Sequence, residues 1–394
     1  MDIKEEALKL HKENKGKLEI KSKVSIKNQN DLSLAYTPGV AYVCKEIQKN
    51  QNEIYDYTSK QNMVAVITDG SAVLGLGNIG PYAALPVMEG KSILLKELAG
   101  VDSFPLCLAT QDEEEIIKTC KYLEPSLGAI NLEDISAPRC VHIERKLNEV
   151  MNIPVFHDDQ HGTAIIVAAA FINVQRLTKR DLSKMRVVIS GTGAAGSMVA
   201  KMLKKIGVGE INAYNITGVI DKNKYDTYDF LIKELIDEGV YSTPIKHDNT
   251  LASLLVDADA FIGVSAANLV NKEMVKSMHK DPIIFAMANP TPEISYIEAK
   301  QAGGYIVGSG RSDYPNQINN VLAFPGIFKG ALAIRASKIN EEMTLAASKA
   351  IAYVIKDEEL SPDYIVPSPF DPRVVKEVSE AVKKAAIDTK VNKI

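Results

Sequence analysis

The chain of 394 residues has no tryptophan, which by itself excludes nothing, and only four cysteines: Cys44, Cys107, Cys120 and Cys140. No two of them form a C-x-x-C pair. Their spacing fits neither a zinc knuckle nor a dense disulfide framework, so reduced thiols in a cytosolic protein are the simpler reading. Long apolar runs are also missing. The longest, Ala164–Ile172, falls far short of the ~20 residues needed to cross a bilayer and reads as a buried helix. Charge of one sign is missing too: the net charge is −4, so no basic field invites nucleic acid or a membrane surface. The opening MDIKEEALKL has neither an apolar core nor a small-residue cleavage site, and no signal peptide is expected. No internal repeat or low-complexity tract occurs.

What is present is an ordinary globular composition, long enough for two or three domains with real cores. The N-terminal stretch to about residue 30 reads as polar helix with a lysine-rich link. Strand-like runs follow at Met63–Thr68, Ser103–Leu108, Ala129–Leu132 and Ile153–Phe156, with helices at Glu113–Leu123 and near Cys140–Asn148. Beyond an apolar helix over Gly162–Gln175, strands are expected at Met185–Ser190, Glu210–Tyr214, Ala260–Val264, Ile283–Met287 and Tyr305–Val307. Strands alternating with helices imply βαβ units. The expected fold is α/β, with an N-terminal α/β substrate domain over residues 1–160. A C-terminal doubly wound Rossmann-type dinucleotide-binding domain over 161–394 follows and carries the last helices.

Gly191-Thr192-Gly193-Ala194-Ala195-Gly196 is a G-x-G-x-x-G directly after an expected strand and before a helix over Ser197–Ile206. Its glycines permit the tight turn and close approach of a pyrophosphate, and the helix N-terminus offers unpaired N–H groups to phosphate. The pattern alone is weak; the strand–turn–helix context makes it a dinucleotide site. Asn215 stands at the end of the next strand, where an acidic residue would bind ribose hydroxyls. It still bonds ribose but repels a 2′-phosphate less, and Lys222 and Lys224 follow. NAD is favoured, with NADP left open.

Two acidic pairs end two successive strands, Glu133-Asp134 and Asp158-Asp159. Strand C-termini converge on one crevice in such folds. Carboxylates gathered there repel unless a cation intervenes, and hard oxygen donors suit Mg²⁺ or Mn²⁺. Either pair alone is as readily a helix cap or a solvated group. A zinc site using His157 and His161 has no supporting cysteine or H-E-x-x-H pattern. Lys91 follows Gly90 at what reads as the start of an apolar helix, a setting that lowers a lysine pKa. Tyr36 lies in a turn-like YTPGV. Leu74–Gly80 is a second glycine-rich loop with no evident Rossmann helix after it. Asn289 ends a strand, and Asn319 and Asn320 open a helix, where side-chain amides hold carboxylate or carboxamide groups.

Together the segments LAYTPGVAYVCKEI, VAVITDGSAVLGLGNIGPYAALPVMEGKSILLK, INLEDISAP, IPVFHDDQHGTAII, VVISGTGAAG, FAMANPTPE and SDYPNQINNVLAFPGIFKGAL resemble the malic enzyme family in its short prokaryotic form. The resemblance implies oxidative decarboxylation of malate to pyruvate and carbon dioxide, with NAD or NADP and Mg²⁺ or Mn²⁺, in a cytoplasmic homodimer. It implies Lys91 as general base for the C2 hydroxyl and Tyr36 as the acid that protonates C3. Glu133, Asp134 and Asp159 become metal ligands, and Asp158 a neighbour that tunes Lys91. Asn289 and one of Asn319 or Asn320 contact substrate and the nicotinamide end. One departure is that Ala72 stands where long-form members carry an arginine that grips a substrate carboxylate. Backbone N–H groups of the loop bearing Gly75, Gly77 and Asn78, or a residue of a neighbouring subunit, are the replacements considered. Two rivals are a metal-independent amino-acid dehydrogenase, which leaves both acidic pairs unexplained, and a non-catalytic dinucleotide sensor, which expects damage at Tyr36, Lys91 or the carboxylates.

Overall fold

A computed structural model describes residues 3–244 and 247–394. Two parallel-type sheets carry the molecule. The first comprises β1 (Met63–Thr68), β2 (Asp102–Cys107), β3 (Ala129–Leu132) and β4 (Val155–His157), in the order β2-β1-β3-β4, all parallel. The second comprises β5 (Arg186–Ser190), β6 (Glu210–Asn215), β7 (Gly218–Val219), β8 (Ala260–Gly263), β9 (Ile283–Ala286) and β10 (Ile306–Ser309), in the order β10-β9-β8-β5-β6-β7. Only β7 runs antiparallel, as the return arm of a tight hairpin after β6. The chain leaves β5 to one side for β6 and returns to its other side for β8. The crevice at their carboxyl ends is the switch point where such sheets bind ligands.

The strands form where the sequence is continuously apolar, because helices cover both faces. β8 and β9 are buried throughout, and β5 is buried from its second residue. Along β5, Val187 and Ile189 face a core that runs through helix Asp158–Thr178 into the first sheet, whereas Val188 joins a separate cluster with Phe261 and Ile284 on the far face. Helix Asp158–Thr178 is apolar nearly all round, with Ala164 to Phe171 fully enclosed, and it ties the two sheets together. Helices Phe324–Ala333, Glu341–Val354 and Pro372–Asp388 close the C-terminus, and the first of them packs on the N-terminal helix Gly80–Ala99.

Two expectations are corrected here. The Leu74–Gly80 loop is followed at once by a helix, Gly80–Ala99, so Lys91 sits in its middle and not near its N-terminus. Pro81 starts this helix and a left-handed Gly100 stops it, while Pro86 and Gly90 inside it obscure its pattern. The stretch before residue 30 is helical only over Ile3–Asn14 and again from Gln29. None of helices Ile3–Asn14, Gln29–Ala35, Gly39–Lys49 and Ile54–Tyr57 has a buried residue. Among the described residues, no helix is long and apolar enough to cross a membrane.

Candidate active site

Register builds the site. β3 and β4 pair Leu132 with His157, so the next residues, Glu133 and Asp158, emerge side by side at the carboxyl edge of the first sheet. Asp134 takes φ +53, a left-handed conformation that Asp tolerates better than most residues, and this turns its carboxylate back toward the edge. Asp159 opens helix Asp158–Thr178, and its Oδ2 accepts the Asp134 N–H at 2.8 Å. Glu133, Asp134 and Asp159 each offer one oxygen within 4.8 Å of the others. Three converging hard oxygen donors fit Mg²⁺ or Mn²⁺, and none is a soft ligand that would favour zinc. Asn131, a polar residue inside an otherwise apolar strand, fixes Glu133 through its Nδ2 at 2.8 Å.

Lys91 arrives from the buried stripe of its helix, in line with Ala84, Met88 and Leu95. Its ammonium bonds Asp158, lies 3.0 Å from Glu133 Oε1 and rests 4.4 Å from the centre of the Phe324 ring. Burial alone would lower its pKa, but Asp158, Glu133 and Asp159 outweigh burial and hold it above the ordinary lysine value. The sequence argument for a lowered value fails because a buried amine among carboxylates is stabilised as the cation. Burial lifts the Asp158 carboxyl to about 6 against the pull of Lys91. Glu133 is likewise raised, by burial and by the neighbouring carboxylates, with Lys91 opposing.

A buried layer sits behind this cluster and was not legible beforehand. Glu144 accepts the His157 backbone N–H at 2.8 Å and pairs with His161 Nε2 at 2.9 Å. Burial opposes its ionisation, but His161 and His157 win and hold the carboxyl below its usual range. Arg139 binds Asp69 at 2.7 Å and both Ser71 and Ser136, locking the loop that carries Ala72 to the one that carries Asp134.

On the second sheet, Gly191-Thr192-Gly193-Ala194-Ala195-Gly196 turns from β5 into helix Ala194–Lys205. A Cβ at Gly196 would fall 1.9 Å from the Gly191 carbonyl oxygen, so only glycine lets the helix start this close to the strand. Asn215, at the end of β6, donates to Thr192 Oγ1 at 3.0 Å and accepts from Thr217. Glu293 is fully buried and binds two loops of the crevice at once. It accepts the Ser265 N–H at 2.8 Å on one oxygen and the Ala288 N–H at 3.1 Å on the other. Burial raises its carboxyl pKa, and these backbone bonds oppose the rise.

Two cavities meet at the carboxylates. One, of about 470 Å³, runs from the phosphate loop to the first sheet, lined by Ala194, Ala195, Ser265, Asn289, Asn319, Asn320, Thr163, Gly75, Ala72, Asp134 and Asp159. The other, of about 450 Å³, opens beside Lys91 and Glu133 and shares Asp159, Asn319 and Asn320 with the first. Asn289 and both asparagines of the 319–320 pair thus reach the crevice. Asn319 Oδ1 is spent on the Val321 N–H at 3.0 Å. Gly75 packs on the Asn289-Pro290 turn; a Cβ there would lie 1.9 Å from the Asn289 carbonyl oxygen. Gly77 and Asn78 line neither cavity, and Asn78 exchanges bonds with the Gln111 side chain at 3.3 and 3.1 Å. Tyr36 also lines neither. It caps helix Gln29–Ala35 and is 65 % exposed.

A phosphate loop at a sheet switch point, opening onto a buried lysine amid carboxylates, defines a nicotinamide-dependent oxidoreductase. Residues 15–148 match the malic enzyme N-terminal domain and residues 160–390 the malic enzyme NAD-binding domain. The chain is 55 % identical over 394 residues to a bifunctional malic/malolactic enzyme of Bacillus subtilis (strain 168), covering 100 % of this chain and 95 % of that one. It is 50 % identical over 376 residues to an NAD-dependent malic enzyme of Geobacillus stearothermophilus, covering 95 % and 78 %. A solved NAD-dependent malic enzyme of Thermotoga maritima superposes with a TM-score of 0.91 at 48 % identity, over 96 % of this chain and 98 % of that one. The chain belongs to the malic enzyme family. Its reaction is the NAD(P)-dependent oxidative decarboxylation of malate to pyruvate and carbon dioxide. That membership sets aside the amino-acid dehydrogenase and the sensor.

Proposed function

We propose that Lys91 is the base of this reaction, that Asp158 is its proton partner, and that Glu133, Asp134 and Asp159 hold the divalent metal. The observation that carries this reading is the Lys91 ammonium buried between Asp158 and Glu133, beside three converging carboxylate oxygens. Bound there, Mg²⁺ or Mn²⁺ supplies Lewis-acid polarisation of the C2 oxygen and stabilises enolate charge. A divalent cation held by Glu133, Asp134 and Asp159 would offset the carboxylate field that otherwise keeps Lys91 charged, and Asp158, in contact with the ammonium, would then take its proton and leave a neutral amine. The amine then accepts the C2 hydroxyl proton of malate as hydride leaves C2 for the nicotinamide. Asn289 and Asn320 orient the substrate and carboxamide from the crevice wall, and Asn319, whose oxygen caps the next turn, contributes its Nδ2. Gly191 to Gly196 cradle the pyrophosphate, and Asn215 faces the adenosine ribose. Phe324 and the apolar helices behind it cover the side of Lys91 turned away from the cavity.

Tyr36 delivers the proton to C3 from a second copy of the chain. Its exposure supports this, as does the apolar surface of its arm, where Ile20 is 89 %, Leu34 69 % and Tyr42 68 % exposed. A homodimer that covers this arm removes an exposed patch a monomer rarely tolerates. The domain boundary falls at residue 160, in the first turn of helix Asp158–Thr178. Four free cysteines, two of them buried, suit the cytoplasm.

The test follows reduced-cofactor absorbance with malate, Mn²⁺ and either NAD or NADP. Activity lost in EDTA and restored by Mn²⁺ is expected. Lys91→Ala should lose at least roughly 10²–10⁴-fold in kcat, the scale of general base catalysis, with NADH binding unchanged by fluorescence. Near-normal turnover in that variant removes Lys91 from the chemistry, and activity indifferent to EDTA removes the metal.

A further inference from the structure

Resting on the reading above, we propose that Lys17 binds the carboxylate of malate farthest from the metal, replacing the arginine this chain lacks at Ala72. Lys17 lies outside every motif of the sequence, in the link after helix Ile3–Asn14. It is pinned over helix Gly80–Ala99, where its backbone N–H bonds Glu89 Oε2 at 3.0 Å and its Nζ bonds the Pro86 carbonyl at 2.6 Å. Its Nζ lies over Gly90, the residue before Lys91, within ordinary van der Waals distance of where a Cβ there would stand, 3.5 Å. Lys17 therefore lines the same cavity as Lys91, Glu133, Asp159 and Asn320.

Charge explains why a cation is needed there. Glu133, Asp134, Asp158 and Asp159 outnumber the cations beside them: Lys91 is committed to Asp158 and Glu133, and His161 behind them to Glu144. A divalent metal held by Glu133, Asp134 and Asp159 would offset part of this excess and would draw the end of malate that offers a hydroxyl beside a carboxylate, leaving the other carboxylate without it. The second carboxylate of a dianion would enter a field still negative. Of the cationic residues lining the two cavities, Lys17 bonds a neutral carbonyl, and an ammonium has three donors, so two remain to point at a carboxylate. His11 borders the same cavity, but its Nδ1 is occupied by the Ala7 carbonyl at 2.8 Å. A carboxylate bound by Lys17 is the one lost as carbon dioxide, so the contact selects a 2-hydroxy dicarboxylate over its monocarboxylate analogue without touching the hydride step.

The experiment compares wild type, Lys17→Met and Lys17→Arg in the full chain, with oxalate as a short inhibitor that spans only the chelating end. Lys17→Met should raise KM for malate about 10–100-fold, the loss of one charged hydrogen bond. Its kcat at saturation, KM for cofactor and oxalate inhibition constant should each stay within about threefold. Lys17→Arg should recover most of the malate KM. An unchanged malate KM overturns the assignment. So does an oxalate constant that rises in step with it in both variants, because then the whole site has moved. If Lys17→Met folds poorly, Lys17→Arg decides: a malate KM within about threefold of wild type supports the contact, and a rise of about tenfold or more in a folded Lys17→Arg overturns it. Wild-type protein that fails to oxidise malate defeats the underlying reading instead.

Discussion

Lysine is the residue whose setting matters most in this chain, and two buried lysines behave oppositely. Lys91 is surrounded by carboxylates and stays charged. Lys60 is buried against the carbonyls of Glu124 and Leu127, 2.6 Å from the latter, and burial lowers its pKa to about 8, with the Glu124 carboxylate offsetting part of the fall. Below pH 8 Lys60 is protonated in both folded and unfolded chains, and burying its charge costs stability in full. Between about 8 and the ordinary value of 10.5 the unfolded chain holds the extra proton, so stability rises with pH across that window. Urea midpoints at pH 7.5, 9 and 10 should show wild type gaining on Lys60→Met as pH increases. A difference between the two proteins that stays constant across those pH values would mean Lys60 keeps an ordinary pKa. Lys91 itself was detectable as a titratable residue in the Ala84–Met88–Leu95 stripe, had the helix been read from Gly80. Its partners were legible as acidic pairs ending two strands, and the resemblance set Asp158 with Lys91; what spacing along the chain did not carry was the register between β3 and β4 that sets Asp158 beside Glu133.

At the scale of elements, the central strands β5, β8 and β9 were legible because both faces are buried and the residues are almost continuously apolar. Met63–Thr68 and Ala129–Leu132 match residue for residue, and most other strands begin or end within two positions of expectation. The two-residue strand Gly218–Val219 was not read, since a hairpin arm that short carries no periodicity. Helix Gly80–Ala99 was hidden by Pro86 and Gly90, which oppose helix locally while packing on β1 and β2 retains it. Loops were harder, and Glu293 shows why. Nothing in ANPTPE announces that the final glutamate reaches back 28 residues to Ser265. Both of its oxygens accept backbone N–H groups, so Glu293→Gln sets an amide donor against one of them. An unmet buried donor costs about 1–3 kcal/mol, and the loops that would loosen face the nicotinamide end of the crevice. KM for NAD should therefore rise roughly 5–100-fold while oxalate inhibition, which reports the metal end, is spared. Unchanged cofactor KM in this variant would show that the staple has slack.

The molecule as a whole is two largely parallel sheets braced by helix Asp158–Thr178, with the proposed reacting groups at the carboxyl edge of the first and the glycine-rich loop at that of the second. The two-part α/β plan followed from strands alternating with helices and from the glycine-rich loop; the strand order did not. The N-terminal arm did not either, because its helices bury no residue in this chain and so present no core-facing stripe for periodicity to report. If Tyr36 serves the site of the neighbouring copy, each active site draws its base from one subunit and its acid from the other. Tyr36→Phe and Lys91→Ala homodimers would each carry two damaged sites. A mixed dimer of the two would carry one site with both defects and one with neither. Co-expression with two separable tags and isolation of the doubly tagged species should then recover about half the specific activity of wild type, from two inactive parents, because one of two sites is whole. If Tyr36 instead acts within its own chain, every site of the mixed dimer bears one defect. Activity in that case stays at the level of the parents. The measurement separates the two arrangements by orders of magnitude, since loss of a general acid or base costs roughly 10²–10⁴-fold and restoration of one site costs only a factor of about two.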